Sequence, residues 1–268
     1  MTQEKMKNAE RYAEYIIPKS FEMIVRIDGH KFSKFTKNLN KPFDAVFSYA
    51  MEETAKDLLD EYNVRTIYQQ SDEITLYFPS MFEEQPKFVH IFGGRTQKIA
   101  SLIAAFTTIR FNVHFKQKAE SLVEQNVVYF NKRCKAYFDA RVFGVETKEN
   151  VIGIFKNRMI DCQRNAKQQF TYTYCSHKEL FKKNTDEQVE YCKEKTGKDY
   201  NKIHNRYKYG IFVKKELYTK KVDGKDIQRS RIVSFDGKSL KEMNFDIITS
   251  KYKGLLWKYY LFHLILMN

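Results

Sequence analysis

The chain has 268 residues, 47 Lys+Arg against 33 Asp+Glu for a formal net charge of +14, and 43% hydrophobic and 15% aromatic content. At about 100–200 residues per domain this is one large domain or two modest ones, and ten Gly, four Pro, 22 Phe and 18 Tyr exclude collagen-like, low-complexity and disordered classes. The polar start MTQEKMKNAERYAEYIIPKS, the short apolar run Leu255–Met267 and four cysteines without CxxC spacing (Cys134, Cys162, Cys175, Cys192) give the expectation of a cytoplasmic chain in a reducing compartment, with no membrane partner, disulfide framework or zinc ribbon.

Residues 21–28 read as a strand with Met23, Val25 and Ile27 on one face, ended by Asp28-Gly29. Residues 43–62 place Phe43, Val46, Phe47, Ala50, Thr54, Leu58 and Tyr62 at helical spacing. Two β-like runs, Val64 to Gln69 and Ile74 to Phe78, are joined through Gln70-Ser-Asp-Glu73 as a hairpin. Gly93-Gly94 opens a second helical pattern carrying Ile99, Leu102, Ile103 and Phe106, and Ala136 to Phe143 is a fourth strand. The order β-α-β-β-α-β is the ferredoxin-like, split-βαβ arrangement, an α+β fold. Further on, the pattern predicts helices near 160–175, 185–197 and 250–267, a polar loop from Ser176 to Thr185, and a hairpin of Ile211–Leu217 with Arg231–Phe235 around Asp223-Gly224. The expected organisation is 1–148 as a catalytic unit and 149–268 as a mostly helical, basic part, drawn where the charge changes and the β-α-β-β-α-β unit ends, with one compact unit as the alternative.

Residues 1–110 hold 15 Lys+Arg and 15 Asp+Glu, so the whole excess of +14 lies in residues 111–268. Cations interleaved with Tyr and Phe suit a phosphate backbone, whose neutralisation releases counterions. A solvated basic surface or an anionic membrane are the other readings; without a basic amphipathic helix or lipidation motif, nucleic acid is preferred.

Topology brings two carboxylates together. In this fold the third strand runs antiparallel beside the first, so Asp28 at the end of the first strand and Asp72 in the hairpin turn between the second and third meet at one rim. Adjacent carboxylates repel, and a divalent cation or shared proton relieves them. Oxygen donors completed by phosphates suit magnesium, and two such ions suit phosphoryl or nucleotidyl transfer. The plain alternative is a pair of turn aspartates bonding their own backbones. Gly29 is read either as an opening for close approach of metal or nucleotide, or as a strand-ending turn. Arg95 and Lys98 sit in the first turn of the second long helix, the wrong end for cations unless an anion docks there; the alternative is that both face water.

These residues carry a resemblance. Arg26-Ile-Asp-Gly29-His-Lys-Phe32, Lys41-Pro42-Phe-Asp44, Gln70-Ser-Asp-Glu73, Gly94-Arg95-x-x-Lys98, Phe138-Asp-Ala-Arg141-Val and Asp161-Cys-Gln-Arg-Asn165 are similar, in order and interval, to the tRNA(His) guanylyltransferase family. Ser176-His-Lys-Glu-Leu180, Thr196-Gly-Lys-Asp199 and Tyr209-Gly-Ile-Phe-Val-Lys214 extend the match, which runs from about residue 10 to 235. The resemblance implies that 1–148 is a palm like that of polymerases and nucleotide cyclases and 149–268 a tRNA-binding or finger-like part, and it implies nucleotide addition to a tRNA 5′ end in the 3′-to-5′ direction. The 5′-monophosphate is first activated, usually by ATP, and the 3′-hydroxyl of an incoming nucleotide, commonly GTP, then attacks. It implies Asp28, the Gly29 carbonyl and Asp72 as holders of two Mg²⁺ ions, with Glu73 supporting them or acting as an extra ligand. It places the nucleotide on Asp28, Gly29, His30, Lys31, Phe32 and Ser33 with Lys41, Ser71 and Asp72, and the triphosphate on Arg95 and Lys98. Arg141 and Asp44 match family positions, Asn165 belongs to the tRNA-binding helix, and family members are tetramers.

The chain also departs from the eukaryotic branch. Where that branch carries His-Ile-Asn-Asn-Leu-Tyr-Asn, this chain has Gln163-Arg-Asn-Ala-Lys-Gln-Gln169, and Asn157-Arg-Met159 replaces Trp-Arg-Gln. The differences resemble the guanylyltransferase-like proteins associated with template-dependent repair of 5′-truncated tRNA, with single-G addition to histidine tRNA as the alternative. Readings from other classes are a nucleotide cyclase, a non-catalytic RNA-binding module and a degenerate family member. The cyclase leaves the basic C-terminal part unexplained. No RNA-recognition aromatic signature is present, and intact Asp28, Asp72 and Glu73 oppose degeneracy.

Overall fold

Alternating apolar side chains bury both faces of one sheet. The computed structural model describes residues 2–12, 14–84, 89–122 and 127–254. They form α1 (Gln3–Tyr12), β1 (Glu22–Gly29), α2 (Phe32–Phe35), α3 (Ala45–Tyr62), β2 (Thr66–Gln70), β3 (Glu73–Phe78), α4 (Met81–Glu84), α5 (Thr96–Glu120), α6 (Val127–Lys132), β4 (Phe138–Val145) and α7 (Lys148–Tyr174). After these come α8 (His177–Leu180), α9 (Thr185–Thr196), α10 (Asn205–Tyr209), β5 (Ile211–Val222), β6 (Lys225–Asp236) and α11 (Asp246–Thr249). The six strands are ordered β4-β1-β3-β2-β5-β6, every pair antiparallel. The first four have the ferredoxin-like order that the β-α-β-β-α-β reading predicts.

Met23, Val25 and Ile27 of β1 point to one face, into a core with Ile67, Leu76, Leu58, Phe111 and Phe115 under α3 and α5. Ile24, Tyr68, Tyr77 and Phe212 point to the other, against Val151, Phe155 and Met159 of α7. A strand buried on both faces reads as a nearly continuous apolar run, which Met-Ile-Val-Arg-Ile is. Phe32 anchors the end of β1, its ring centroid 4.8–5.9 Å from those of Phe35, Phe47, Phe111 and Phe138.

The expected division at 148/149 does not divide the sheet. β5 extends it beside β2, with Ile67 opposite Val213, and β5 and β6 pair through all twelve positions across the two-residue Asp223-Gly224 turn. Both turn residues have positive φ (49° and 77°), the conformation a two-residue hairpin demands. α7 starts at Lys148, well before the expected 160: Gly153 and the β-branched Val151, Ile152 and Ile154 blur its pattern, while Thr147 caps it by accepting from the Asn150 N–H at 3.2 Å. The expected loop from Ser176 contains α8, started by a Ser176–Glu179 capping box. Residues beyond Cys162 carry α7 past the sheet, where Ala166, Phe170, Cys175, Leu180, Cys192 and Tyr200 make a separate apolar cluster. The helix expected over 250–267 is not seen at 250–254, and Leu255–Met267 lies outside the described residues. Among the described residues no helix is long and apolar enough to cross a membrane.

Two buried groups fasten β5. The Lys214 ammonium donates to the Thr66 hydroxyl (2.6 Å), the Ser250 carbonyl (2.7 Å) and the Arg65 carbonyl (3.2 Å), tying the segment after α11 to the sheet. Gly210, at φ 69° and ψ −170°, occupies a region essentially reserved for glycine, and a Cβ there would lie 2.7 Å from the Gln69 carbonyl. Gly210→Ala is therefore expected to cost about 3 kcal/mol or more in urea unfolding. Gly197→Ala, at φ 71° but with open space around it, should cost about 1–2 kcal/mol. Equal losses would show that the close approach at Gly210 does not matter.

Candidate active site

Strand register builds the rim. Asp28 lies opposite Glu73 on β3 and opposite Asp139 on β4, so three carboxylates on neighbouring strands share the sheet face that α7 covers. Asp72 occupies the two-residue turn between β2 and β3, next to Glu73. That turn needs Ser71 at φ 46°, and the Gln69 side-chain amide fixes it by donating to the Ser71 carbonyl at 2.8 Å. One register step further in, Arg26 lies opposite Arg141, placing a cationic pair behind the acidic row.

The charges are neutralised unequally. Glu73 accepts from Arg158 of α7 at 3.1 Å, and the same guanidinium also bonds Asp161. Burial and the charge of Asp139 raise the Asp28 carboxyl above the ordinary range, with Arg141 and Arg26 opposing them. Burial, then the charge of Asp28, pushes Asp72 up to about 6, which is the electrostatic sign that the two carboxylates meet. Its own backbone and the Ser71 side chain favour the charged form of Asp72, and the charge of Glu73 opposes it.

Asp72 opens on a cavity of about 410 Å³ that also presents Phe32, Ser33, Lys41, Asp44, Ser71 and Gln169. Asn165 faces an adjoining cavity, which shares Asp44, Ser71 and Gln169 with the first. Asp44 itself is spent on structure: it caps α3 through the Phe47 N–H (2.8 Å) and accepts from the Tyr129 hydroxyl (2.6 Å) and the Asn40 N–H (3.0 Å). Gly29 has a local reason to lack a Cβ. The atom would lie 2.4 Å from the Phe32 ring, so the residue makes room for the aromatic anchor. The peptide after it turns away: His30 donates from its N–H to the Tyr137 carbonyl (3.0 Å), and Lys31 takes a left-handed conformation at the start of α2.

Arg95 and Lys98 are not brought to this rim. The helix after β3 starts where β3 ends, and Ile17, ahead of β1, bonds the Gly94 carbonyl at 2.9 Å. The six residue steps of β1 from Glu22 to Asp28 separate that edge from Asp28, about 20 Å at strand rise. There Arg95 faces Glu14 at 3.6 Å, which supplies the anion at the helix start, and Lys98 lies over the Phe92 ring. Two residues outside the sequence-derived set do reach the rim. Asp139 is legible in Phe138-Asp-Ala-Arg141, because alternation puts it on the face of Arg141; Arg158 has no local signal, since only the course of α7 brings it to Glu73.

Among the described residues no group of three or more His, Cys, Asp and Glu side chains is arranged to hold a metal. Asp28 and Asp72 are hard oxygen donors, both pushed toward their neutral forms, and so fit a divalent cation whose remaining ligands come from elsewhere, such as phosphate oxygens.

Known proteins share the sequence pattern and the fold. The family model for tRNAHis guanylyltransferase (Thg1) matches residues 3–146. The uncharacterized protein R259 of Acanthamoeba polyphaga mimivirus is 32% identical over 226 residues, 80% of this chain and 77% of that protein. A bacterial tRNA(His) guanylyltransferase (Thg1)-like protein in complex with ATP superposes with a TM-score of 0.74 at 27% identity, over 87% of this chain and 90% of that one. A structure of such a bacterial protein in complex with GTP gives 0.69 at 25% identity, over 92% and 98%.

Ionising Asp72 costs folding free energy, because its carboxyl rises from 3.8 to about 6 on folding. The cost is absent below pH 4 and complete above pH 6. Asp72→Asn should therefore stabilise the metal-free protein by about 2–3 kcal/mol at pH 7.5 and by nothing at pH 3.5, read as urea midpoints. A gain independent of pH would rule out this origin.

Proposed function

The chain belongs to the tRNA(His) guanylyltransferase family, nucleotidyltransferases that act on tRNA, and from that premise we propose that it extends tRNA 5′ ends in the 3′-to-5′ direction under the direction of a template. The observation that carries the nucleotidyl-transfer reading is the Asp28–Asp72 pair: the charge of Asp28 raises the Asp72 carboxyl, and Asp72 lines a cavity that also offers Lys41 and Ser71. ATP and GTP in the related bacterial structures support nucleoside triphosphates as substrates.

In the proposed reaction the tRNA 5′-phosphate first attacks the α-phosphorus of ATP, releasing pyrophosphate and leaving an adenylylated 5′ end. The 3′-hydroxyl oxygen of the incoming nucleotide then attacks that 5′-phosphorus, and AMP leaves. Mg²⁺, held by Asp28 and Asp72 with the Gly29 carbonyl, would supply charge neutralisation of the phosphates and acidify the attacking hydroxyl. Lys41 places a cation in the nucleotide cavity. Arg158 keeps Glu73 turned toward α7, so Glu73 serves the pair as a fixed neighbouring charge. Phe32 locks the turn after β1 beneath the site.

The template reading rests on α7. In place of the stretch found in the eukaryotic branch, it carries Gln163–Gln169, and here Asn165 and Gln169 line the cavities beside Gln69 and Gln70. Gln169 is committed to the Pro42 carbonyl at the cavity wall. A lining of amides and without a dedicated histidine-tRNA stretch leaves base choice to pairing with the opposite strand.

A 5′-monophosphorylated tRNA lacking its first nucleotide, given ATP, Mg²⁺ and each labelled nucleotide in turn, tests both claims. The expected result is incorporation of the pairing partner, with at least a thousandfold loss in Asp28→Ala and Asp72→Ala, on the scale of ~4 kcal/mol for lost electrostatic stabilisation. Addition of G alone, whatever base lies opposite, would replace the template reading by single-G addition. tRNA binding without extension would remove catalysis altogether.

A further inference from the structure

The segment compared with a nucleotide cradle straddles two cavities. Phe32 and Ser33 face the cavity of Asp72, whereas His30 and Lys31 face a different one of about 520 Å³, on the β4 side of the rim. Lys34, Lys132 and Lys135 join Lys31 around this second cavity, and no acidic side chain lines it among the described residues. Four cations from the start of α2, α6 and the turn after α6 are thus gathered with no carboxylate among the described lining residues to neutralise them. Burial, Lys135 and Lys41 all disfavour the charged form of Lys132, which is held in place by donating to the Phe35 carbonyl and lying over the Phe35 ring. His30 and Tyr137 stack at the edge, with centroids 4.8 Å apart and planes 24° from parallel, and Tyr137 remains 51% exposed. The cavity is next to the carboxylates, since Gly29 pairs with Phe138 and so stands one residue from both Asp28 and Tyr137.

We propose that this lysine-lined cavity binds the phosphodiester backbone of an RNA strand close to its 5′ end, with the His30–Tyr137 pair as a stacking surface for a base. The inference rests on the tRNA reading above and names where that substrate is gripped. A nucleoside triphosphate already has the Asp72 cavity with Lys41 and Ser71. Four lysines around an open cavity suit several successive phosphates, and an exposed ring pair suits a base at the end of a strand. Placed here, the strand has its first phosphates beside Asp28, where transfer to a 5′ end requires them.

The test measures binding of a 5′-monophosphorylated tRNA transcript by fluorescence anisotropy over a range of KCl concentrations, without nucleotide. Lys34→Ala/Lys135→Ala alters two lysines whose side chains make no hydrogen bond among the described residues, their bonds being backbone ones. It should weaken binding roughly tenfold at low salt and reduce the slope of log K against log salt by about 2, while the KM for ATP stays unchanged. Lys34→Arg/Lys135→Arg should keep the wild-type slope, showing that charge and not packing is read. An unchanged slope and affinity in the alanine variant overturns the proposal. So does a raised KM for ATP with RNA binding intact, which would make the cavity a nucleotide site. Wild-type protein that binds RNA through these lysines yet adds no nucleotide overturns the function proposed above and leaves this site standing. Nucleotide addition together with indifferent lysine variants does the reverse.

Discussion

Cross-strand register forces like charges together, and the rest of the site is arranged around that constraint. Asp139, Asp28 and Glu73 occupy adjacent strands at one level of one face, with Asp72 in the neighbouring turn. Directly opposed like charges destabilise a sheet, and three different devices limit the damage. Arg158 reaches from α7 to Glu73, Arg26 and Arg141 stand one step behind Asp28, and Asp72 is left holding its proton up to about pH 6. The uncompensated charge therefore collects on Asp28 and Asp72, at the mouth of the cavity. A protein built only for stability would replace Asp72 by a neutral residue; retaining it trades folding free energy for a place where a cation and phosphates are welcome.

Topology explains both what could be read from the sequence and what could not. The period-two strands, the Asp223-Gly224 turn and the meeting of Asp28 with Asp72 follow from patterns that act over a few residues or from the β-α-β-β-α-β order itself. The same order also separates Arg95 and Lys98 from that pair, because a helix following β3 must begin at the edge β3 has just reached. Local chemistry at a helix start made an anion site plausible there; Glu14, distant in sequence and adjacent in space, supplies the charge instead. The join of β5 to the free edge of β2 was likewise hidden, since nothing in either strand names its partner. It depends on the backbone of Gly210, whose conformation becomes visible only when Tyr68 and Gln69 are packed against it.

Some signals were present and carried a different meaning. Gly29 pointed to a position where Cβ is excluded, and the excluding group is the Phe32 ring three residues on. Ser176-His-Lys-Glu179 is a capping box inside a stretch polar enough to pass for a loop. The first half of α7 carries Val151, Phe155 and Met159 at four-residue spacing, as a buried face should, but Gly153 lowers local helix propensity. In each case packing against a sheet or ring overrides a propensity worth about 1 kcal/mol or less per residue.

Charge shows most clearly why counting along a chain misplaces function. Residues 1–110 are neutral in sum, yet Lys31 and Lys34 stand together at a cavity wall while Asp28, Asp72 and Glu73 of the same half lie on the rim. Lys132 and Lys135, which belong to the basic half, complete that wall because α5 returns the chain to the level of Asp28 before β4 begins. The sheet thus sets an acidic rim beside a basic cavity, with only the turn after β1 between them. Such a boundary is the electrostatic shape of a phosphate-transfer centre on a polyanion. In the reaction proposed above, the strand would be held by cations on one side, and the reacting phosphates would come to carboxylates that only a cation makes hospitable.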